Sequence, residues 1–237
     1  MEFPMRLNKF LAHKGFATRR SADTLIEEKR VFVNGKPAVI GQKVTEDDLV
    51  ELKDHDTSHF RYVLYNKPRG VITHSPAEGE VDIVTRIKKD HSLTGVFPIG
   101  RLDKDSEGLI LLTNDGRVTE RILNPEQGHE REYEVVVDKR VTQTVLTRLA
   151  KGVNIEGYNT KPAQTTIDPG NDKAFTIVLT EGKKHQIRRM CAALGYQVRS
   201  LKRTRMLNLE LKNLKPGAIY TLKKNEIRAL QGELGLH

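Results

Sequence analysis

The chain has 237 residues, a length that can bury a substantial core and form one or two domains. Lys and Arg outnumber Asp and Glu by 40 to 31, and the resulting net charge of +9 favours a polyanionic partner. The single cysteine, Cys191, excludes an intramolecular disulfide and a cysteine-based zinc site, and no apolar stretch approaches membrane-spanning length. We therefore expect a protein of the cytoplasm, with no membrane contact and no bound metal.

Residues 5–52 predict a small N-terminal unit of two short basic helices followed by strands. Leu7 and Leu11 lie at helical spacing and are expected to face its core. Asn34-Gly35 between two apolar runs is typical of a tight hairpin turn, because glycine and asparagine tolerate positive φ. The predicted elements are helices at about 7–14 and 19–29, hairpin strands at 31–33 and 38–40, and a further strand at 49–52.

A polar stretch at 53–60 predicts a linker, and residues 61–237 predict a second, larger domain. Its strands are expected at 61–65, 71–73, 109–113, 132–137 and 176–180, with a turn at 66–70 and helices at 117–123, 141–151 and 184–194. Strands and helices are mixed without strict βαβ alternation, so the predicted fold class is α+β, with a mixed, mostly antiparallel sheet flanked by helices.

The most informative run is Gly100–Gly108, with the sequence Gly-Arg-Leu-Asp-Lys-Asp-Ser-Glu-Gly. The apolar residues 109–113 that follow predict a buried strand, and loops at the ends of buried strands often carry functional side chains. An aspartate near an arginine stays ionised and suits a nucleophile or a general base. The residues alone do not choose among Asp103, Asp105 and Asp115, and a surface loop with a solvated ion pair is the alternative.

Two clusters of basic residues contain no acid. The first carries Arg6, Lys9, Lys14, Arg19 and Arg20, and the second carries eight Lys or Arg between Lys183 and Arg205. Two such clusters favour contacts with the phosphates of a nucleic acid and salt-sensitive binding, although most charge runs are simply solvated surface. Within the second cluster, helix 184–194 would turn Arg188 and Arg189 outward, where an arginine could pair with a carboxylate or contact RNA.

The N-terminal unit resembles the S4-like, or αL, RNA-binding domain. The runs that carry the resemblance are Arg6–Leu11, Thr18–Ala22 and Val31–Lys36. The resemblance implies that Arg19, Arg20 and Lys36 face RNA phosphates, with Arg6 and Lys9 as further RNA-binding residues. A small protein-interaction module is the alternative.

The larger domain resembles the RNA pseudouridine synthases of the RsuA/RluB/RluF branch, and within it the members that modify large-subunit ribosomal RNA. The resemblance rests on the Gly-Arg-Leu-Asp run, on Asn66-Lys67-Pro68 and on Gly-x-x-His-Gln-Ile-Arg at 182–188. It implies that Asp103 is catalytic, that Arg188 pairs with it, and that Tyr133 stacks on the target base. The RNA-binding residues predicted in this domain are Arg101, Lys183, Lys184, Arg189, Arg203 and Arg205.

The resemblance implies the isomerisation of a flipped-out uridine to pseudouridine in ribosomal RNA, most often large-subunit RNA. Such a reaction needs no nucleotide cofactor and no metal, and the chain lacks Gly-rich nucleotide-binding motifs. We expect a monomer whose partner is structured RNA. Small-subunit ribosomal RNA or tRNA are alternative substrates, and a non-catalytic RNA-binding ribosome assembly factor is the alternative from another class.

Overall fold

The computed structural model describes residues 3–14, 17, 19–52, 60–74 and 77–236. The helices are α1 Leu7–His13, α2 Arg19–Glu27, α3 Ile83–His91, α4 Gly116–Leu123, α5 Gln143–Lys151, α6 Gln186–Ala193 and α7 Lys224–Glu233. The strands are β1 Met5–Arg6, β2 Val31–Val33, β3 Lys36–Pro37, β4 Lys43–Val44, β5 Val50–Leu52, β6 Tyr62–Lys67, β7 Phe97–Ile99, β8 Glu107–Thr113, β9 Arg131–Val137, β10 Asn154–Ile155, β11 Tyr158–Asn159, β12 Gln164–Ile167, β13 Ala174–Leu179, β14 Val198–Met206, β15 Leu209–Glu210 and β16 Ile219–Thr221. Within the described ranges, no helix is both long enough and apolar enough to cross a bilayer.

The N-terminal unit has a hydrophobic core of its own, to which α1, α2 and β2 each contribute buried side chains. Leu7 and Leu11 are buried as their helical spacing predicts. The hairpin turn is also confirmed, because Asn34 and Gly35 have φ values of 52° and 75°. Two positive φ values are what a two-residue hairpin turn requires.

The second hairpin strand, however, was predicted too late in the chain. It is Lys36–Pro37 and not 38–40, because the two-residue turn returns the chain at once and pairs Val33 with Lys36. Val39 and Ile40 lie beyond the strand and are exposed. The predicted linker lies, except for Phe60, outside the described residues, and the domain boundaries at 52 and 61 stay a prediction.

The larger part of the chain is built on a nine-stranded sheet with the main order β12-β13-β9-β14-β8-β6-β16, to which β15 and β7 are added. All of its strand pairs are antiparallel except β14 with β8. Strands β6 and β8 are buried on both faces, since α3 packs on one face and α4 and α7 pack on the other. Helices α5 and α6 cover the part formed by β9 and β13. The predicted α+β class and mixed sheet are confirmed.

Two strand predictions in this domain need correction. Asn66 and Lys67 belong to β6 and not to the turn after it, and 71–73 forms only a bridge between Ile72 and Asp82. Strand β14 was not predicted, because its charged residues obscure the pattern of a buried strand. The buried strand at 109–113 is confirmed within β8.

Glycines allow two close approaches of the backbone in this fold. A Cβ on Gly108, whose φ is +108°, would lie 2.3 Å from the carbonyl oxygen of Arg203, so β8 and β14 meet closely there. A Cβ on Gly116 would lie 2.6 Å from the carbonyl oxygen of Ala17 and 2.9 Å from that of Ala12. The start of α4 therefore packs directly on the N-terminal unit.

Candidate active site

A cavity of about 560 Å³ lies where the loop between β7 and β8 meets the loop before α6. Asp103 reaches it from the first loop, His185 from the second, and Tyr133 and Arg203 from strands β9 and β14. A volume of this size is typical of a site that encloses one small molecule or one residue of a polymer.

A buried hydroxyl fixes the backbone that carries Asp103. The Thr73 Oγ1 donates to the carbonyl of Leu102 at 2.6 Å and accepts from its N–H at 3.0 Å. Thr73 and Leu102 are buried, whereas the Asp103 side chain is 38% exposed and faces the cavity. The carboxylate is thus presented on a fixed backbone, as a reacting group requires.

The Lys67 ammonium joins the turn after β6 to the same loop. It donates to the carbonyls of Val71 at 2.7 Å, Pro68 at 3.0 Å and Lys104 at 3.5 Å. Burial lowers the pKa of Lys67 to about 8, although the nearby carboxylate of Asp103 partly opposes this shift. Neither Thr73 nor Lys67 can be identified from the sequence as a support of the site, since their partners are backbone groups distant in sequence.

Arg188 binds the loop of Asp103 but not the carboxylate itself. Its Nη2 donates to the carbonyl of Asp105 at 3.2 Å and lies 3.4 Å from the Oγ of the buried Ser106. Arg188 and Asp103 both lie in the described ranges, and no ion pair joins them there. The predicted pairing is therefore not formed in this structure, and Arg188 instead supports the backbone beside Asp103.

His185 is an ionisable group that faces Asp103, and its Nε2 lies 3.4 Å from Asp103 Oδ1. His185 has a φ of 53°, an uncommon left-handed conformation for a histidine, immediately before α6. This conformation turns the imidazole toward the cavity. In the sequence, His185 belongs to the Gly-x-x-His-Gln-Ile-Arg run at 182–188, which does not indicate that it faces Asp103.

A buried carboxylate organises the loop that carries His185. Glu181 accepts hydrogen bonds from the Tyr158 hydroxyl at 2.5 Å, the Gln186 amide at 2.7 Å and the Lys161 backbone N–H at 2.9 Å. Burial alone would raise the pKa of Glu181, but these hydrogen bonds outweigh it and lower the pKa. Glu181 stays ionised and links the loop before α6 to Tyr158 and to the backbone at Lys161.

Tyr133 is half-buried on the face of the sheet that forms the cavity wall. It pairs in register with Arg203 of β14, and Arg131 precedes it by two residues on β9, so the three side chains share one face. All three line the cavity. The structure thus brings the predicted Tyr133 together with Asp103 and adds Arg131, which was not among the predicted site residues.

The predicted RNA-binding residues of the larger domain lie in three different environments. Arg101, Lys183 and Lys184 are exposed at the edge of the cavity, as expected of phosphate contacts. Arg203 is 2% exposed, so its guanidinium is out of reach of a phosphate at the surface.

The other two predicted residues are ion-paired within the domain. Arg189 pairs with Glu156 at 2.7 Å, and Arg205 pairs with Glu130 at 2.8 Å and with Glu132 at 3.4 Å. Their guanidinium groups would have to exchange a carboxylate for an RNA phosphate.

In the N-terminal unit, Arg6, Lys9 and Lys36 are exposed. Helix α2 begins at Arg19, but the side chains of Arg19 and Arg20 lie outside what the structure describes. No three His, Cys, Asp or Glu side chains converge as a metal site within the ranges that the structure describes.

Comparison with known proteins agrees with this architecture. A family model described as RNA pseudouridylate synthase matches residues 61–193, and an S4 domain model matches residues 5–50. A crystal structure of a pseudouridylate synthase is similar with a TM-score of 0.70 and 30% identity, covering 95% of this chain and 99% of that one.

Two curated relatives span nearly the whole chain. The dual-specificity RNA pseudouridine synthase RluF of Escherichia coli K12 is 38% identical over 232 residues, which cover 94% of this chain and 77% of that protein. The ribosomal large subunit pseudouridine synthase B of Bacillus subtilis is 36% identical, with 95% of each chain covered. The chain therefore belongs to the RsuA/RluF type of RNA pseudouridine synthases, with an S4 domain at its N-terminus.

Proposed function

We propose that this synthase converts one specific uridine of large-subunit ribosomal RNA to pseudouridine, with Asp103 as its catalytic carboxylate. The observation that carries the proposal is the presence of Asp103 and Tyr133 in one cavity of about 560 Å³. The names of two relatives support the substrate, since one is a large-subunit synthase and the other is a dual-specificity enzyme. The name of the dual-specificity enzyme fits more than one RNA substrate, and tRNA stays an alternative.

The target uridine is flipped out of the RNA to reach Asp103, because a stacked and paired base cannot enter a cavity. Flipping costs a few kcal/mol. Stacking of the base on Tyr133 offsets about 1–3 kcal/mol of that cost. Phosphate contacts of Lys183 and Lys184 at the cavity edge offset a further part of the cost.

The reaction exchanges one bond of the base for another. The bond from C1′ of the ribose to N1 breaks, the bond from C1′ to C5 forms, and a proton leaves C5 while N1 gains one. Asp103 attacks the ribose or assists its deprotonation, and Arg188 acts as a positioning residue by holding the carbonyl of Asp105 and the hydroxyl of Ser106. The exchange involves no net oxidation, so it needs no redox cofactor. We propose that the enzyme is monomeric and cytoplasmic and works without a nucleotide cofactor or a metal.

The test is carbodiimide-adduct mapping of pseudouridine in total RNA from cells that carry or lack the gene. The gene-deleted cells are complemented with the wild type, Asp103→Asn or Asp105→Asn. Asp105 is the matched control, since its carboxylate is exposed and its contact with Arg188 uses the backbone carbonyl. We expect one pseudouridine site to disappear in the gene-deleted cells. Complementation with the wild type or with Asp105→Asn should restore the site, and complementation with Asp103→Asn should not.

The position of the missing site identifies large-subunit RNA, small-subunit RNA or tRNA as the substrate. RNA binding by Asp103→Asn, measured separately, should equal that of the wild type, because the carboxylate serves the chemistry and not the phosphate contacts. An unchanged pseudouridine map would overturn the proposal and favour the RNA-binding assembly factor.

A further inference from the structure

The wall of the cavity carries two arginines beside Tyr133. Arg203 pairs in register with Tyr133, and Arg131 lies on the same face of β9. Neither guanidinium forms an ion pair with any carboxylate in the described part of the chain. Two cations next to each other without an anion are unusual inside a protein, since a buried charge is costly unless it is paired.

The hydrogen bonds of these arginines go to backbone carbonyls. Arg203 Nε donates to the Leu109 carbonyl at 2.7 Å, and Arg131 Nη2 donates to that of Ile122 at 2.9 Å. The Arg203 side chain is 2% exposed, and its Nη2 has no hydrogen-bond partner among the described residues. Burial lowers the pKa of Arg131, and the charge of Arg203 lowers it further, so the two guanidiniums are close enough to repel each other.

The depth of Arg203 indicates which part of an RNA could satisfy it. Exposed cations stand at the edge of the cavity, where a phosphate backbone would lie, whereas Arg203 is buried in the sheet. The part of a flipped nucleotide that penetrates deepest is its base. A guanidinium can only donate hydrogen bonds, so it fits the O4 acceptor of uracil and not the amino group that cytosine carries at C4 in its place, whereas O2 is common to the two bases.

We propose that Arg203, supported by Arg131, is a specificity-determining residue that donates a hydrogen bond to O4 of the target uracil stacked on Tyr133. The inference rests on the proposed function. When the C1′–N1 bond breaks, its electron pair moves to the base and spreads over O2 and O4, where a fixed guanidinium stabilises the charge.

The experiment exchanges single atoms in the substrate and single side chains in the enzyme. A synthetic RNA stem–loop spanning the mapped uridine carries uridine, 2-thiouridine or 4-thiouridine at the target, since sulfur accepts hydrogen bonds poorly. The wild type and Arg203→Met are compared in single-turnover reactions. Arg148→Met is the control, because Arg148 is an exposed arginine of α5 outside the cavity lining.

We expect 2-thiouridine to react about as fast as uridine, and 4-thiouridine to slow the wild type and Arg148→Met by about tenfold, the typical effect of one hydrogen bond to a charged group. Arg203→Met should be at least about tenfold slower on uridine but should show no further loss with 4-thiouridine. The same sulfur penalty in the wild type and in Arg203→Met would overturn the inference.

Binding provides a second readout that does not depend on turnover. The wild type should bind the stem–loop with uridine at the target about tenfold more tightly than the stem–loop with cytidine, and Arg203→Met should lose this preference. If Arg203→Met does not fold, Arg131→Met is carried through the same measurements, and an unaltered preference in that variant would overturn the supporting role of Arg131 and with it the paired site.

The failure of this inference differs from the failure of the proposed function. A wild type that modifies the uridine stem–loop but shows equal sulfur penalties overturns the role of Arg203 alone. A wild type that forms no pseudouridine overturns both.

Discussion

Lys184 and Arg203 belong to one acid-free basic cluster of the sequence, yet they occupy opposite environments. Lys184 is exposed in the loop before α6, at the edge of the cavity, whereas Arg203 is 2% exposed in the middle of a nine-stranded sheet. A cation at the edge keeps its hydration and can attract phosphates at little cost. A buried cation has lost its hydration and is retained where a ligand or a backbone acceptor replaces the water.

The largest expected effect comes from disturbing the strand that carries Arg203. Gly108→Ala would place a Cβ 2.3 Å from the Arg203 carbonyl oxygen at a φ of +108°, so the close contact of β8 and β14 must open. We expect the free energy of unfolding to fall by about 3 kcal/mol or more, measured by urea denaturation.

The matched control is Gly157→Ala, where φ is +85° but no atom lies within 4 Å of the added Cβ. Only backbone strain remains there, so the loss should be about 1 kcal/mol. Equal losses in the two variants would show that the contact with β14 does not restrain the wall of the cavity.

The second effect concerns the buried Lys67. Its pKa in the folded protein is about 8, compared with an ordinary value of 10.5, so between these values the unfolded chain binds a proton that the folded chain has released. The stability contributed by this group therefore rises with pH across that window, by up to about 1.4 kcal/mol per pH unit.

The measurement is the difference in unfolding free energy between the wild type and Lys67→Met. We expect this difference to shift in favour of the wild type by about 2 kcal/mol from pH 8 to pH 10. Below pH 7 the difference should not change with pH. A difference that stays constant or moves the other way across that window would contradict the burial of the ammonium.

Substitutions at the edge of the cavity should change the salt dependence of RNA binding and leave the free energy of unfolding unchanged. The double variant Lys183→Gln, Lys184→Gln should bind substrate RNA about tenfold more weakly and lower the slope of log K against log salt by about 1.5, since each phosphate contact contributes about 0.7–0.9. Lys202→Gln is the control, because Lys202 of β14 already forms an ion pair with Glu134 of β9 at 3.3 Å and lies outside the cavity lining. An unchanged slope in the double variant would place the RNA elsewhere.

The smallest effect is expected for Arg205, which is partly exposed and ion-paired with Glu130. A double-mutant cycle of Arg205→Gln and Glu130→Gln should give a coupling of about 0.5 kcal/mol, as for other surface pairs. A coupling above about 2 kcal/mol would mean that Arg205 behaves like a buried charge, which its position does not support.

The sequence predicted the loop of Asp103, the buried strand after it and the helix of Arg188, because each depends on local pattern. It could not separate Arg203 from Arg205. Residues two apart on a regular strand share a face, but β14 has a bulge between them, so Arg203 pairs with Tyr133 and Arg205 pairs with Glu132. The bulge places the two arginines on opposite faces, and alternation alone does not reveal it.

The supports of the site were equally hidden from the sequence. The hydrogen bonds of Thr73 to Leu102 and of Lys67 to Val71 and Lys104 end on backbone groups, which carry no residue-specific signal. The facing of His185 and Asp103 depends on one left-handed residue before α6. Such contacts follow from the tertiary fold and not from local propensity.

The close contact at Gly116 sets a distance within the enzyme. Strand β8 has seven residues, begins beside the loop of Asp103, and leads to α4, where the N-terminal unit packs. At roughly 3.3 Å per residue, the strand separates the loop of Asp103 from the start of α4 by about 23 Å. An RNA that contacts both the cavity and the S4 domain must therefore hold its reactive nucleotide at a distance of this order from the segment bound by the S4 domain.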